Sequence, residues 1–324
     1  MLEFFKRLGF GSQDDIRLIQ PDDDPDAARI RQALQAGDWN SATSFYENLS
    51  LRDREFYTHA LGDWPGRPEF FDRWVNEQPQ CPVPLLLRGY HSFKWAWEAR
   101  TGAMAEDVSR SQADLFHERL WAAQADLQRS RELRGDDANC HWGLLAVGVG
   151  LSIPRSDAVV LFEDGIRHDP EHTGLHRSMA RLLCKKWHGS HKEMFEFARQ
   201  VSAAAPDGSL TQLVIPYAHT ERWLYRAVFE DDAAADDYWD SGSVRREIIE
   251  AYERGIGSPA HQPSRLTREI SNDFAFCFGC LQDRERLAVT LRSIDNRPTE
   301  FPWSFKSADP ARSFRKVKRW AGVE

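Results

Sequence analysis

Residues 139–206 constrain the fold more than any other stretch, because two successive segments each carry the pattern of helix, turn, helix and closing proline. The first helix of the first segment has one apolar face at the spacing i, i+3, i+4 and i+7, formed by Trp142, Leu145, Ala146 and Val149. Pro154 ends that helix, because its ring cannot continue the hydrogen-bond ladder. Ser156 or Asp157 is expected to cap the second helix, and Pro170 closes it. The pattern predicts a helical hairpin.

The second segment, residues 173–206, predicts a further hairpin. Its first helix has an apolar face formed by Leu175, Met179, Leu182 and Leu183. Ser190 and Glu193 have the spacing of a capping box, so the second helix is expected to begin there. Pro206 closes this segment as Pro170 closes the first.

The first segment resembles the tetratricopeptide repeat, a helix pair of about 34 residues. The matching positions are Trp142, Leu145, Ala146, Ala158, Phe162 and Pro170. Val149 and Gly165 depart from the family's pattern, which usually has an aromatic residue and an alanine there. Residues 186–190 and 195–199 also resemble a bacterial family of unknown function that carries tetratricopeptide-like helices, over about residues 84–223. These resemblances imply an all-α, right-handed solenoid of antiparallel helix hairpins, and they do not indicate any particular activity.

A concave groove that holds an extended peptide or a helix is the usual binding surface of such solenoids. By resemblance, the groove positions of the first segment are Cys140, Gly143, Val147, Gly150 and Leu151. These residues are small and apolar, so they suit an apolar helix, or another part of the same chain, better than the carboxylate of a peptide. The leading hypothesis is therefore a non-catalytic interaction or scaffold protein that binds a protein or peptide.

Proline-rich residues 79–84 mark the expected boundary between two helical parts. We predict a flexible or docked segment over 1–22, a helical subdomain over 23–78, the tetratricopeptide-like array over 79–304 and a basic tail over 305–324. Residues 1–11 have the spacing of a short amphipathic helix, and the charges within them argue against a signal peptide. Three roles are considered for the basic residues of 312–320. They could pair with the acidic stretch 230–240, contact an acidic partner, or cap the end of the array; capping is the favoured interpretation.

Composition limits the classes of function. The formal net charge of −8 argues against a general nucleic-acid-binding protein, which needs a basic face. The longest nearly apolar run, residues 142–153, is too short for a membrane span, so no stable membrane insertion is expected. Five cysteines without framework spacing indicate a reducing cytoplasm. The identity of the partner and the oligomeric state stay open.

The candidate binding residues are Arg88, His91, Lys94 and Trp95 on one predicted helix, with Trp187 and His188 at a turn. Arginine and tryptophan are favoured interface anchors, but packing around a central helix and a plugged gap between repeats are the alternative interpretations. No phosphate-binding loop, nucleophile elbow or H-E-x-x-H motif is present, so no cofactor is predicted.

A metal-dependent or thiol enzyme is the alternative function. His168, His172 and His176 have the i, i+4, i+8 spacing that stacks imidazoles on one helix face, although Pro170 and Gly174 interrupt that helix. Cys277 and Cys280 form a C-x-x-C motif, which binds zinc or performs thiol exchange in other settings. Without a second cysteine pair or a βαβ context, two buried thiols on a helix are the simpler interpretation.

Overall fold

A computed structural model describes residues 16–100, 109–187 and 189–323. In these ranges the regular secondary structure is entirely helical, which confirms the all-α prediction. The predicted helix within residues 1–11 and the predicted binding residue His188 lie outside the described residues. The α-helices are α1 (Pro25–Ala36), α2 (Trp39–Glu47), α3 (Leu51–Gly62), α4 (Glu69–Glu77), α5 (Pro82–Arg100), α6 (Arg110–Leu133), α7 (Ala138–Leu151), α8 (Arg155–His168), α9 (Thr173–Leu182), α10 (His191–Ala204), α11 (Val214–Val228), α12 (Gly242–Arg254), α13 (Arg265–Cys280), α14 (Arg284–Ile294) and α15 (Pro310–Ala321). Short 3-10 helices cover Pro21–Asp23, Leu210–Leu213, Ala235–Asp240 and Trp303–Phe305.

The chain divides into two compact units. The larger unit comprises Gln20–Val214, and the smaller unit comprises the described residues 16–19 and 215–323. The predicted N-terminal subdomain, residues 23–78, belongs to the same unit as the helices that follow it, because α2, α3 and α4 all pack against α5. None of the helices in the described ranges is both long and apolar enough to cross a membrane.

The core of the larger unit is centred on the packing of α5, α6 and α7. Leu127 of α6 is fully buried between a glycine of α5 and a glycine of α7. A Cβ atom on Gly89 would lie 2.7 Å from Leu127 Cγ, and one on Gly143 would lie 2.8 Å from Leu127 Cδ2. The two glycines therefore let three helix backbones approach closely around one leucine side chain.

The helix boundaries follow the proline and capping signals closely. Ser190 is the N-cap of α10, where its hydroxyl oxygen accepts a hydrogen bond from Glu193 N at 3.2 Å, as predicted. The prediction that Ser156 or Asp157 caps α8 is wrong. This helix begins at Arg155, with Pro154 at the N-cap position and no side-chain cap, and the Pro154 carbonyl oxygen accepts from Asp157 N at 3.0 Å and from Ala158 N at 3.2 Å.

In the smaller unit, α13 packs along α14, and α15 packs on α14 and against Trp303–Phe305. Phe274, Phe278 and Phe314 are fully buried, and the indole of Trp303 meets the Phe314 ring edge-on at 5.2 Å. Trp303 Nε1 donates a hydrogen bond of 2.7 Å to Asn272 Oδ1, which satisfies the buried indole.

Candidate functional site

The face of α7 that the resemblance assigns to a ligand groove is occupied by α6. Cys140 Sγ donates to the hydroxyl of Ser130 on α6 at 3.3 Å. A Cβ atom on Gly150 would lie 2.6 Å from Leu120 Cδ1 of α6, so these two helices are in close contact there. The sequence suggested either an apolar partner helix or another part of the same chain for this face, and in the structure α6 of the same chain packs on it. Cys140, Gly143 and Val147 are buried in this packing, whereas Gly150 and Leu151 are partly exposed.

Arg88, a predicted binding residue, is held by carboxylates within the larger unit. Its Nε and Nη2 atoms each donate a 2.7 Å hydrogen bond to Asp126 on α6, and Nη1 donates to Asp72 on α4 at 3.0 Å. Burial alone would lower the pKa of Arg88, but the hydrogen bonds and charges of Asp126 and Asp72 raise it above its ordinary value. Arg88 thus links α4, α5 and α6.

His91 is buried in the same helix junction. Its Nδ1 atom lies 3.2 Å from the carbonyl oxygen of Gly62, and its ring stacks on Phe71 at 5.2 Å and on Trp95 at 6.3 Å between centroids. Burial lowers the pKa of His91 below its ordinary value, despite the backbone carbonyls that act in the opposite direction. The neutral imidazole is part of the core.

Lys94 and Trp95 are also engaged by residues of the larger unit. Lys94 Nζ pairs with Asp63 at 3.2 Å. The guanidinium of Arg119 lies 3.4 Å from the centre of the Trp95 ring and donates to the Trp95 carbonyl oxygen at 2.6 Å. These contacts join α5 to its neighbours and leave the predicted set without a common open surface.

Trp187 lies on another side of α5. It meets the ring of Trp97 edge-on at 6.0 Å. Trp97 is two positions beyond Trp95, which places the two side chains about 200° apart around the helix axis. The structure therefore does not combine Trp187 with His91 and Trp95 into one site.

A buried polar junction, which the sequence did not reveal, connects α3 to the start of α9. The carboxylate of Glu55 on α3 accepts hydrogen bonds from Thr173 N at 2.9 Å, from Gly174 N at 2.7 Å and from the Thr173 hydroxyl. It thus supplies acceptors to backbone N–H groups that have no partner within their own helix, at the positive end of the helix dipole. Its partners are 118 and 119 residues away in sequence, so no local pattern announces them.

His172 completes this junction as a neutral imidazole. Its Nδ1 atom accepts a hydrogen bond from Leu175 N at 3.2 Å, so its Nε2 atom carries the proton and donates to Asn139 Oδ1 at 3.1 Å. Glu55 lies 3.6 Å from Nδ1, but Nδ1 is already an acceptor and these two groups form no ion pair. Burial lowers the pKa of His172 to about 4, although the nearby Asp169 and Asp137 charges act in the opposite direction.

The three histidines proposed as metal ligands are separated by the break between α8 and α9. His168 is exposed at the end of α8, both ring nitrogens of His172 are hydrogen-bonded, and His176 Nε2 lies 2.9 Å from the Pro170 carbonyl oxygen. The helical spacing that motivated a metal site is therefore not realised. Within the described ranges, no group of three or more His, Cys, Asp or Glu side chains is placed to hold a metal ion.

Of the C-x-x-C thiols near the end of α13, Cys277 lies in the packed interior and Cys280 is partly exposed. Cys277 is fully buried, with its Sγ atom 3.6 Å from the hydroxyl of Thr220. Burial raises the pKa of Cys277 well above its ordinary value and that of Cys280 to about 12. Because the thiolate is the nucleophile and the metal ligand, these protonated thiols are poorly suited to either chemistry at neutral pH.

The side chains best placed to meet a partner are on outward-facing helix surfaces. On α6, Trp121 is 61% exposed, and its indole stacks on the His117 imidazole with centroids 5.9 Å apart. On α15, basic side chains and Trp320 face outward. No protein-family model matches the sequence, and no curated protein is significantly similar to it.

Proposed function

We propose that this chain is a non-catalytic interaction protein of the cytoplasm, which binds a polypeptide partner through the outer face of α6. In this proposal its helix pairs stack as a tetratricopeptide-like, right-handed solenoid. The observation that supports the outer face of α6 as the binding surface is the exposure of Trp121. A large aromatic side chain that is 61% exposed on a well-packed helix is the type of residue that anchors protein interfaces.

The surroundings of Trp121 support an anchoring role. Leu120, Ala123 and Leu127 fix the opposite side of α6 in the core, each with no measurable exposure. The stacked imidazole of His117 restricts the indole further. An aromatic group that is held in place before binding loses little conformational entropy when a partner covers it.

The neighbouring positions leave room for a helix or an extended segment. Ala122 and Ala125 are exposed beside Trp121, and their small side chains allow a partner backbone to approach the indole. Glu118, one turn before Trp121, gives the patch a polar edge. We therefore expect a partner segment that places an apolar side chain against the Trp121 ring.

The test compares proteins captured from the native cell extract by the wild-type chain, by Trp121→Ala and by Val160→Ala. Val160 on α8 is a matched control, because it is an apolar side chain that is 55% exposed. A binding anchor contributes about 2 kcal/mol or more, so a specific partner should be captured by the wild type and Val160→Ala and lost by Trp121→Ala. Binding of the purified partner to all three proteins then confirms the result.

Both substitutions should leave the melting temperature nearly unchanged, since exposed positions contribute within about 0.5 kcal/mol to stability. A partner that is captured equally by Trp121→Ala, with the protein folded, would show that the outer face of α6 is not the binding surface.

A further inference from the structure

The outward face of α15 carries a regular array of cations. The spacing is i, i+3, i+4, i+7 and i+8, which places the side chains on one side of the helix. We call this array the basic stripe; it consists of four cations, Arg312, Arg315, Lys316 and Arg319, together with Trp320 at one end. All except the half-buried Arg315 are exposed, and Trp320 retains 45% of its accessible surface.

The charges of the basic stripe are not used inside the smaller unit. None of its four cations forms an ion pair with a residue in the described ranges, whereas Arg286 pairs with Glu253 at 2.9 Å. The fifth basic side chain of α15, Lys318, is buried and donates to Asn296 Oδ1 at 2.8 Å. The acidic stretch is instead paired by Lys306, which lies outside residues 312–320 and whose Nζ atom is 2.9 Å from Asp236.

The helix does not need the stripe in order to fold. Phe314 is buried against Trp303. A Cβ atom on Gly279 would lie 3.4 Å from Val317 Cγ1, so Val317 packs against the backbone of Gly279. Like charges at i, i+3 and i+4 disfavour a helix slightly. Repulsion among Arg312, Arg315 and Lys316 therefore weakens α15 slightly, whereas Arg319 in the last turn is favoured by the helix dipole. An anionic partner would relieve the repulsion.

We propose that the basic stripe binds an acidic segment of a partner polypeptide. Three of the four cations are arginines, whose planar guanidinium groups bind carboxylates through two parallel hydrogen bonds. Cations one turn apart are separated by about 6 Å, which matches acidic residues at alternate positions of an extended segment, spaced by about 6.6 Å. Trp320 at one end supplies an apolar anchor of the kind enriched in protein interfaces.

A polypeptide agrees better with these features than a membrane or a nucleic acid. The net charge of −8 opposes the approach of the whole chain to a surface dense in phosphate. Charges beyond about 8 Å are screened at physiological salt, so a short acidic segment that contacts only the stripe avoids most of this repulsion. The proposal does not depend on the Trp121 surface, which belongs to the larger unit.

The experiment measures binding of a fluorescein-labelled, glutamate-rich peptide with one leucine to the full chain, by fluorescence anisotropy. We expect salt-sensitive binding that weakens at least about tenfold in Arg315→Glu/Arg319→Glu, because the variant loses two charged hydrogen-bond donors and gains two charges that repel the peptide. The control, Lys192→Glu/Arg246→Glu, makes the same change in net charge at exposed positions of α10 and α12. It should bind like the wild type, and Trp320→Ala should bind several-fold more weakly with the same salt dependence.

Three outcomes would overturn the proposal. One is equal binding of a peptide in which glutamine replaces glutamate, and another is an equal loss of affinity in the two double variants. The third is tighter stripe-dependent binding to phosphatidylserine vesicles or duplex DNA than to the peptide, which would assign a different class of partner. Circular dichroism spectra and melting temperatures equal to those of the wild type show that each variant remains folded.

Discussion

Replacing Glu55 with alanine should strongly destabilise the larger unit, because one buried carboxylate serves three donors at the start of α9. The substitution leaves the N–H groups of Thr173 and Gly174 and the Thr173 hydroxyl without an acceptor. Glu55, Thr173 and the adjacent His172 are all buried, so water reaches this junction poorly. The contact is also long-range in sequence, so its loss directly weakens the attachment of α9 to α3.

The magnitude can be worked out from these bonds. A buried donor that loses its acceptor costs about 1–3 kcal/mol. Since Gly174 is only partly buried and the Thr173 hydroxyl can rotate, we count one donor fully and the other two in part. With about 1 kcal/mol for the lost interaction between the negative charge and the helix dipole, Glu55→Ala should lower the free energy of unfolding by about 3–4 kcal/mol. Glu55→Gln keeps one acceptor oxygen and should cost about half as much.

Urea-induced unfolding followed by far-UV circular dichroism measures the effect. The matched control is Glu171→Ala, which removes a carboxylate close to the start of α9. Glu171 is 38% exposed and pairs with Arg52 at 3.2 Å, so its loss should cost less than about 1 kcal/mol. If Glu55→Ala is no more destabilising than Glu171→Ala, the carboxylate does not hold the helix start, and the reasoning is wrong.

Three further predictions concern other buried groups. The pKa of His172 is about 4 in the folded protein against 6.5 ordinarily, so the unfolded chain binds more protons between these values. The free energy of unfolding should therefore fall by about 3 kcal/mol as the pH is lowered from 6.5 to 4. Urea titrations at several pH values measure this; if the free energy of unfolding of His172→Gln fell as steeply with pH as that of the wild type, the prediction would be contradicted. Gly143→Ala should cost about 1–3 kcal/mol through overpacking and less in a Leu127→Ala background, which a double-mutant cycle of urea midpoints checks; additive effects would exclude the proposed contact. Cys277 should resist alkylation at neutral pH until the protein unfolds, as measured by peptide mapping, and rapid labelling of the native protein would refute its burial.

Much of the helical structure was predictable, because its signals are local. The apolar spacing around Trp142, the proline after α8 and the cap at Ser190 each depend on residues a few positions apart. The start of α8 was missed because the N-cap position is taken by Pro154, whose side chain has no hydrogen-bond acceptor and so gives no capping signal. Local signals state where a helix begins and ends, but they do not state which other helix covers each face.

The candidate site was much less predictable for the same reason. Arg88 resembles an interface anchor until Asp126, 38 residues away, is placed beside it. Glu55 has the appearance of an ordinary surface residue, because its partner Thr173 is 118 residues distant. Residue type alone does not distinguish a charge that a partner protein will bind from a charge that the chain binds itself.

The comparison of Arg88 with the basic stripe shows which physical property makes this distinction. A partly buried guanidinium loses hydration, and it must recover that loss through carboxylates of its own chain, as Arg88 does with Asp126 and Asp72. The exposed Arg312 and Arg319 keep their hydration and form no ion pair with a described residue. The helix dipole favours a cation at Arg319 in the last turn, but it opposes one at Arg312 in the first turn. These cations are aligned beside Trp320 on a helix whose opposite face is already packed. A partner that carries the opposite charge would explain this alignment.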